Sequence, residues 1–460
     1  MANSELDILI MAAGLGTRMK SNLAKVLHRL DGRPLINHVC ETSLALRPSS
    51  INVIVGHQAE DVKRAVTAEL GEEKFAFPVQ KQQLGTGDAV NSAKKLLKDR
   101  DTVLLVLSGD VPMISTKTLK ALIAKHRRSK AVCTILTVEL ENPSGYGRVI
   151  REGSEFSRIV EQKDASDEEK SCREINSGIY CFDTKKLFQA LAKVGNSNAQ
   201  GEYYLTEVPT ILKKKGDKIA LFLHDDKHEI EGINDRRQLA AMEAELRDRS
   251  IKRLMLESGV TFIDPASAYV SAKAKIGRDT VIYQNVTIEG KSVIGEGCTI
   301  RPGTRIVNST LRDGVEIRDN CFITDSEIGN GCAVGPMAHL RGHAVMEDGS
   351  KIGNFVELKK TRLGKKSKAS HLTYLGDATI GENTNIGAGT ITCNYDGKNK
   401  HETHIGNNVK IGSDTMLVAP ITVGDGAVTG AGSVVTKDIK PNKLAVGAPA
   451  RSIRTVNGDK

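Results

Sequence analysis

The chain has no tryptophan, and phenylalanine and tyrosine together make up only 4% of its 460 residues. Dense tracts of lysine and arginine interleaved with aromatics are missing as well. Nucleic-acid binders rely on such tracts and on aromatic platforms for the bases, so nucleic acid is excluded as the main partner. No stretch approaches the roughly 18 apolar residues of a membrane span, which excludes a membrane partner. Nor do the first residues show a basic segment followed by an apolar run of signal-peptide type, so a cytoplasmic location is expected. Eight cysteines occur, but without a C-x-x-C pair or regular spacing. Free, mostly buried thiols are expected rather than disulfides or a zinc site.

What is present is a net charge of +9, which favours anionic partners and, with nucleic acid set aside, phosphate-bearing small substrates. The length exceeds what one core ordinarily serves, so two or more domains are expected. Over the first 230 residues short apolar runs alternate with helical patterns. LDILIM (Leu6 to Met11), INVIVG (Ile51 to Gly56), TVLLVLSGD (Thr102 to Asp110) and AVCTILTVE (Ala131 to Glu139) read as buried strands, with amphipathic segments such as Thr116 to His126 between them. This pattern predicts an α/β domain with a mostly parallel sheet over 1–233. Residues 234–258 carry apolar side chains at helical spacings amid dense charge, up to Gly259, and predict a linker helix of about 16 to 20 residues.

From 259 to 460 the period changes to six. Val270, Ile276, Ile282, Ile288, Ile294, Ile300 and Ile306 are evenly spaced; the register slips by one to Leu311, Ile317 and Ile323, then slips again to Ile328 and runs to Leu358. It returns at Ile380 and Ile386 and again from Ile405 to Val435. Hexapeptide repeats mark a parallel β-helix, in which each side of a coil turns one aliphatic residue inward. Two apparent breaks, Leu358 to Asp377 and Ile391 to Gly406, are the places where loops, and with them function, are expected.

In the first half, Gly14-x-Gly16-Thr17-Arg18 follows a strand but matches neither the dinucleotide fingerprint nor a P-loop. It leaves a glycine turn whose N–H groups suit phosphate oxygens, with Arg18 and Lys25 as countercharges. Asp110 ends an apolar strand, where open α/β sheets bind ligands; the position suits either the start of a turn before Pro112 or a ligand to Mg²⁺.

Together AAGLGTRM, LGTGDA, GDVP, GYGR, EQKDA, EINSGIY, GEYYLTE, EGIND, HLTYLGDA and NIGAGTITCNYDGKNK resemble the bacterial bifunctional N-acetylglucosamine-1-phosphate uridyltransferase and glucosamine-1-phosphate N-acetyltransferase family, in order from about residue 5 to 447. The resemblance implies a Rossmann-like nucleotidyltransferase domain followed by a left-handed parallel β-helix. The β-helix would acetylate glucosamine 1-phosphate with acetyl-CoA. The first domain would join UTP to N-acetylglucosamine 1-phosphate, making a precursor of peptidoglycan and lipopolysaccharide. A homotrimer is implied too.

Carried over by motif position, Gly14, Gly16, Arg18 and Lys25 would hold the triphosphate, and Gln80, Gln83, Gly85 and Thr86 would line the uracil. Gly147, Glu161 and Asn176 would hold the acetylated sugar, and Asp110 and Asn234 would bind Mg²⁺. In the β-helix, His371 would be the catalytic base, a role that suits histidine because the amine must be unprotonated to attack. Glu357 would be its orienting or second acid–base partner. Arg341 and Lys359 would take the sugar phosphate, with Tyr374, Asn385 and Lys400 completing the pocket. Asn394, Tyr395, Ser413 and Ala431 would bind acetyl-CoA, and Arg451 is a candidate contact to a CoA phosphate. Three residues depart from the family pattern: Ala24 stands before Lys25 where proline is common, Ser108 where an aromatic is common, and Asp88 where histidine is usual. Two alternatives stay open at this point, a monofunctional sugar-nucleotide pyrophosphorylase with a scaffold β-helix and a non-enzymatic nucleotide-sugar sensor.

Overall fold

In the computed structural model, which describes residues 5–455, the run Leu6–Met11 forms strand β1 in the middle of a mixed sheet. The last five residues of the expected C-terminal tail lie outside the described residues. In chain order, the elements used below are α1 (Leu35–Leu44), β2 (Ser50–Ile54), α2 (Ala59–Leu70), β3 (Phe75–Ala76), α3 (Thr86–Ser92), β4 (Val103–Ser108), α4 (Thr116–Ser129), β5 (Cys133–Glu139), β6 (Arg148–Glu152), β7 (Glu155–Val160), β8 (Glu174–Asp183) and β9 (Ile219–His224). The sheet order is β9-β5-β8-β4-β1-β2-β3, with β6 and β7 attached beside β8. Only β8 breaks the parallel run along this path, pairing antiparallel with β4 and β5.

The central strands are predominantly apolar because both faces are covered. Ile8, Ile10, Val53, Leu105 and Leu107 pack into one layer, while Leu9, Ile54, Leu104 and Val106 pack into the other. Register then fixes the site. Met11 lies opposite Ser108, and Gly109 continues the ladder by donating to the Met11 carbonyl at 2.9 Å. A Cβ at Gly109 would lie 2.9 Å from Ile36 Cδ1 and 3.0 Å from that carbonyl, so only glycine lets the two chains leave the sheet side by side. The Gly14–Arg18 turn and Asp110 therefore emerge at the same edge.

The chain divides into two compact units between Glu243 and Ala244, inside helix α5 (Arg236–Glu257). At 22 residues this helix is longer than its charge and apolar pattern alone implied.

In the second unit each coil supplies one short strand to each of three parallel sheets. Face A runs from Thr261–Phe262 to Asn385–Ile386, face B from Tyr269–Val270 to Val434–Val435, and face C from Lys275–Ile276 to Ile421–Val423. The hexad residues stack inside, as Ile288, Ile306, Ile323, Leu340, Leu358 and Leu375 do along face B. All are buried.

One expectation is corrected here. Leu358 to Asp377 is not a break, because Leu363, Ala369 and Leu375 stand inside as fully buried members of faces C, A and B. The continuity was hidden by five-residue steps on either side and by a small anchor, Ala369. Those steps share a place. Ile306 to Leu311, Ile323 to Ile328, Leu358 to Leu363 and Leu375 to Ile380 all cross from face B to face C, and the one long insertion, between Thr392 and Ile405, crosses the same corner. Strands must stay in register with the coil beneath, so a corner is where length can vary.

All eight cysteines are free and six are buried. No helix among the described residues is long and apolar enough to cross a membrane.

Candidate active sites

A cavity of about 500 Å³ opens at the edge where β1 and β4 end, and Gly14, Gly16, Lys25, Gln80, Gln83, Gly85, Thr86 and Asp110 all line it. Gly16 has a left-handed backbone (φ 62°), and a Cβ there would stand 2.6 Å from Lys25 Cβ. The turn thus needs glycine both for its own conformation and for Lys25 to pass close by.

Lys25 reaches into the cavity and bonds the Asp110 carboxylate, while its Nζ also donates to Asn234 Oδ1 at 3.1 Å. Arg18 donates to the same oxygen at 2.9 Å. Asn234 is brought there by the backbone, because the neighbouring Ile233 N–H donates to the Asp110 carbonyl at 2.9 Å. Two cations and two oxygen ligands thus meet at one point. A carboxylate and an amide oxygen are the hard donors that Mg²⁺ prefers, and they already share a cation, the Lys25 ammonium.

Gly147, Glu161 and Asn176 form a second group in the same unit. Asn176 N–H donates to the Gly147 carbonyl at 2.9 Å, and Gly147 lies against the Glu161 carboxyl group. Thr206 donates to Glu161 at 3.0 Å, and Asn176 donates to the Tyr180 hydroxyl at 2.7 Å. Burial raises the Glu161 pKa. Sequence reasoning missed Thr206 and the cavity-lining Glu202, although both stand in the quoted GEYYLTE stretch.

On the β-helix, His371 Nδ1 lies 2.6 Å from Asn354 Oδ1, its register neighbour one coil below on face A. That oxygen only accepts, so Nδ1 donates to it, and in the neutral ring Nε2 is the nitrogen with the lone pair. Glu357 belongs to face B, where it accepts from Arg341 Nε at 2.7 Å. Lys359, opposite Arg341 one coil on, lies 3.8 Å from Asp377, which also accepts from Asn394 Nδ2. Lys400 is beside Lys359, and this neighbouring amine lowers its pKa. Two ammonium groups that close mark an anion site. Tyr374 is opposite Glu357, while Asn385 starts the next face-A strand, opposite Lys368.

The expected acetyl-CoA residues are more spread out. Asn394 is buried and Tyr395 is 62% exposed on the inserted hairpin, which Asp396 closes by accepting from Lys398, Asn399 and His401. Ser413 and Ala431 sit in adjacent coils at the corner between faces A and B, where Gly432 N–H donates to the Ser413 carbonyl at 2.8 Å. Arg451 is exposed on the terminal antiparallel pair, opposite Val446.

The nucleotidyl transferase family model matches residues 8–228. A bacterial transferase hexapeptide model of six repeats matches 402–437, and the EIF2B subunit epsilon LbH domain model matches 257–358. The bifunctional protein GlmU of Syntrophomonas wolfei is 48% identical over 443 residues, covering 96% of this chain and 97% of its own. That of Geobacillus sp. strain WCH70 is 48% identical over 451 residues, covering 98% and 96%. The chain belongs to the bifunctional GlmU family. As a GlmU family member it is a bifunctional transferase, with uridyltransferase activity in the nucleotidyltransferase domain and acetyltransferase activity in the left-handed β-helix. The pyrophosphorylase and sensor alternatives are thereby set aside.

Of the three departures from the family pattern, Ser108 lines the cavity. Asp88 accepts from Gln80 Nε2 at 2.8 Å. Ala24 donates its N–H to the side chain of Gln58.

Proposed function

We propose that the first cavity joins UTP to N-acetylglucosamine 1-phosphate and that the β-helix acetylates glucosamine 1-phosphate with acetyl-CoA beforehand. The observation that carries the first assignment is the meeting of Arg18, Lys25, Asp110 and Asn234 at one point of the cavity edge. In uridyl transfer a phosphate oxygen of the sugar attacks the α-phosphorus of UTP, and the bond to the β-phosphate breaks to release pyrophosphate. The attacking phosphate is already an anion, so no base is needed. The protein's task is to hold the two reactants in line and to neutralise charge with Arg18 and Lys25. Asp110 and Asn234 would hold Mg²⁺, which when bound shields the charge on the phosphate oxygens.

In acetyl transfer, the glucosamine nitrogen attacks the thioester carbonyl, the C–S bond breaks and CoA leaves as its thiol. His371 Nε2 takes the proton that the nitrogen loses and returns it to the departing sulfur. The Asn354 contact supports this role because it holds the ring in the tautomer a base requires. Lys359, Lys400 and Arg341 supply the charge for the sugar phosphate.

Three copies are proposed to assemble around the β-helix in the cytoplasm. Three residues past the nine anchors that follow one another along face A from Ile282 to Thr429 the backbone turns left-handed, and the positions are Asn285, Gly303, Asn320, Gly389, Asp414 and Gly432 in six coils. In the other three they are Met337, Phe355 and Leu372, with φ of 53°, 56° and 47° and exposures of 47%, 54% and 63%. Every other non-glycine residue with positive φ among the described residues is polar or charged. Bulky side chains disfavour this conformation by roughly 1–2 kcal/mol each, and here they also face solvent. Burial against a second copy offsets both costs, and Leu372 directly follows His371.

Two separate assays of purified protein with Mg²⁺ test the pair of activities. Pyrophosphate release from UTP with N-acetylglucosamine 1-phosphate and free thiol from acetyl-CoA with glucosamine 1-phosphate are both expected. Absence of either removes that half of the substrate assignment.

A further inference from the structure

Lys25 is preceded by a segment, Ser21–Leu23, that lies exposed on the surface. Ser21 and Asn22 are exposed and Leu23 is 42% exposed, Ala24 is buried against the core, and within Ser21–Ala24 the hydrogen bond is from Leu23 N–H to Ser21 Oγ. What fixes the segment comes from elsewhere in the first unit. Gln58 stands immediately before α2 with a left-handed backbone (φ 53°), and its side chain makes no capping bond to its own helix. Instead its Oε1 accepts from Ala24 N–H at 2.7 Å, and its Nε2 donates to the Asn22 carbonyl at 2.7 Å. One amide thus bridges the backbone on both sides of Leu23, one residue ahead of the lysine.

We propose that Gln58 is the positioning residue for Lys25, an amide clamp that holds the lysine where it meets Asp110 and Asn234. This rests on the reading that Lys25 serves the triphosphate. Ala24 shows why a clamp is needed here. Its φ is −54° and its ψ 139°, a conformation that alanine leaves freely and that the pyrrolidine ring of a proline would enforce. A proline would do so without an N–H, so the Gln58 acceptor would have nothing to hold. Clamp and ring are alternative ways of fixing the same backbone angle, and this chain uses the clamp. Removing the clamp and adding the ring therefore compensate each other, which a residue that merely packs would not do.

The test uses the full-length protein and five variants: Gln58→Ala, Gln58→Met, Ala24→Pro, Ala24→Pro with Gln58→Ala, and Lys25→Ala. Pyrophosphate release is measured at varied UTP. A displacement of about 1 Å costs up to about 10²-fold in rate, so a loosened clamp is expected to cost about tenfold in kcat, with KM for UTP within about twofold. Gln58→Met, which keeps the length but neither hydrogen bond, is expected to show the same loss. Ala24→Pro alone should stay near the wild type, and in its background Gln58→Ala should cost less than about twofold, the coupling a double-mutant cycle detects. An equal loss from Gln58→Ala in both backgrounds, or wild-type rates in Gln58→Met, overturns the clamp. Wild-type rates in Lys25→Ala overturn the reading of Lys25 itself, so the two failures are distinguishable.

Discussion

The Lys25 ammonium bridges the Asp110 carboxylate and the Asn234 amide oxygen, holding in one place the two groups assigned to the metal. Replacing Asp110 by Asn removes the charge and leaves Lys25 without its anion. Uridyl transfer is expected to fall by about 10³-fold, the scale of losing one preorganised electrostatic contact to a developing charge. Acetyl transfer, which lies in the other unit, should be unchanged, and chelating Mg²⁺ should reproduce the same split. Loss of thiol release in the folded Asp110→Asn protein would sink the two-site assignment.

Asn354 is the residue on which the base reading depends. Asn354→Ala frees the imidazole to take either tautomer, and the rate of acetyl transfer should fall by about ten- to a hundredfold, part of the 10²–10⁴ that a positioned base contributes. Asn354→Asp sets a carboxylate against the ring, and the acidic limb of the pH–rate profile should move to higher pH. A profile that stays in place with Asp would mean that the 2.6 Å contact does not govern the base.

Asp88 occupies the Gln80 amide, whose Nε2 also donates to the Gly85 carbonyl at 3.2 Å. Gln80 Oε1 is then the atom left for the cavity, an acceptor suited to the N3–H of uracil and not to the bare N3 of cytosine. With Asp88→Ala only the 3.2 Å bond to the Gly85 carbonyl is left to orient the amide. KM for UTP should rise about fivefold, in line with roughly 1 kcal/mol for a neutral hydrogen bond, and discrimination against CTP should shrink. Unchanged discrimination in steady-state competition would rule out this role.

His126 is buried on α4, its Nδ1 2.9 Å from the Thr134 hydroxyl, and burial lowers its pKa from 6.5 to about 4. The native state holds it neutral, whereas the unfolded chain protonates it below about 6.5. Its contribution to stability is therefore complete above pH 6.5 and is lost as pH falls towards 4. Urea unfolding followed by circular dichroism should show the wild type losing stability over this window by up to about 1.4 kcal/mol per pH unit more than His126→Gln does. Parallel curves for the two proteins would contradict the assignment.

How much of this was legible beforehand depends on the range of the interaction. Leu6–Met11 and Val103–Ser108 are buried on both faces, so continuous apolar runs announced them. The six-residue period announced the coil, and its slips marked the corner between faces B and C. Leu363 and Ala369 escaped because a five-residue step and a small anchor imitate a break. Asn354 was within reach, since a coil of 17 or 18 residues puts position 354 against position 371. Gln58 had no such signal. Its bonds to Asn22 and Ala24 join segments more than 30 residues apart through a side chain, with no periodicity to betray them.

If copies meet at the exposed row of Met337, Phe355 and Leu372, as proposed, assembly is linked to one activity and not the other. Because the ridge adjoins His371, separating the copies should impair acetyl transfer, while the cavity at the β1 and β4 edge is built within one chain. Phe355→Asp puts a charge into the middle of the ridge, where an unpaired buried charge is too costly to keep, so the assembly should dissociate. The unfavourable backbone angle becomes cheaper at the same time, since aspartate tolerates the left-handed region better than phenylalanine does. The isolated chain should therefore stay folded. Sedimentation velocity is expected to show a trimer for the wild type and a monomer for Phe355→Asp, with thiol release lost and pyrophosphate release kept. A monomeric wild type, or a monomeric variant with full acetyl transfer, would show that the ridge serves neither assembly nor the site beside it.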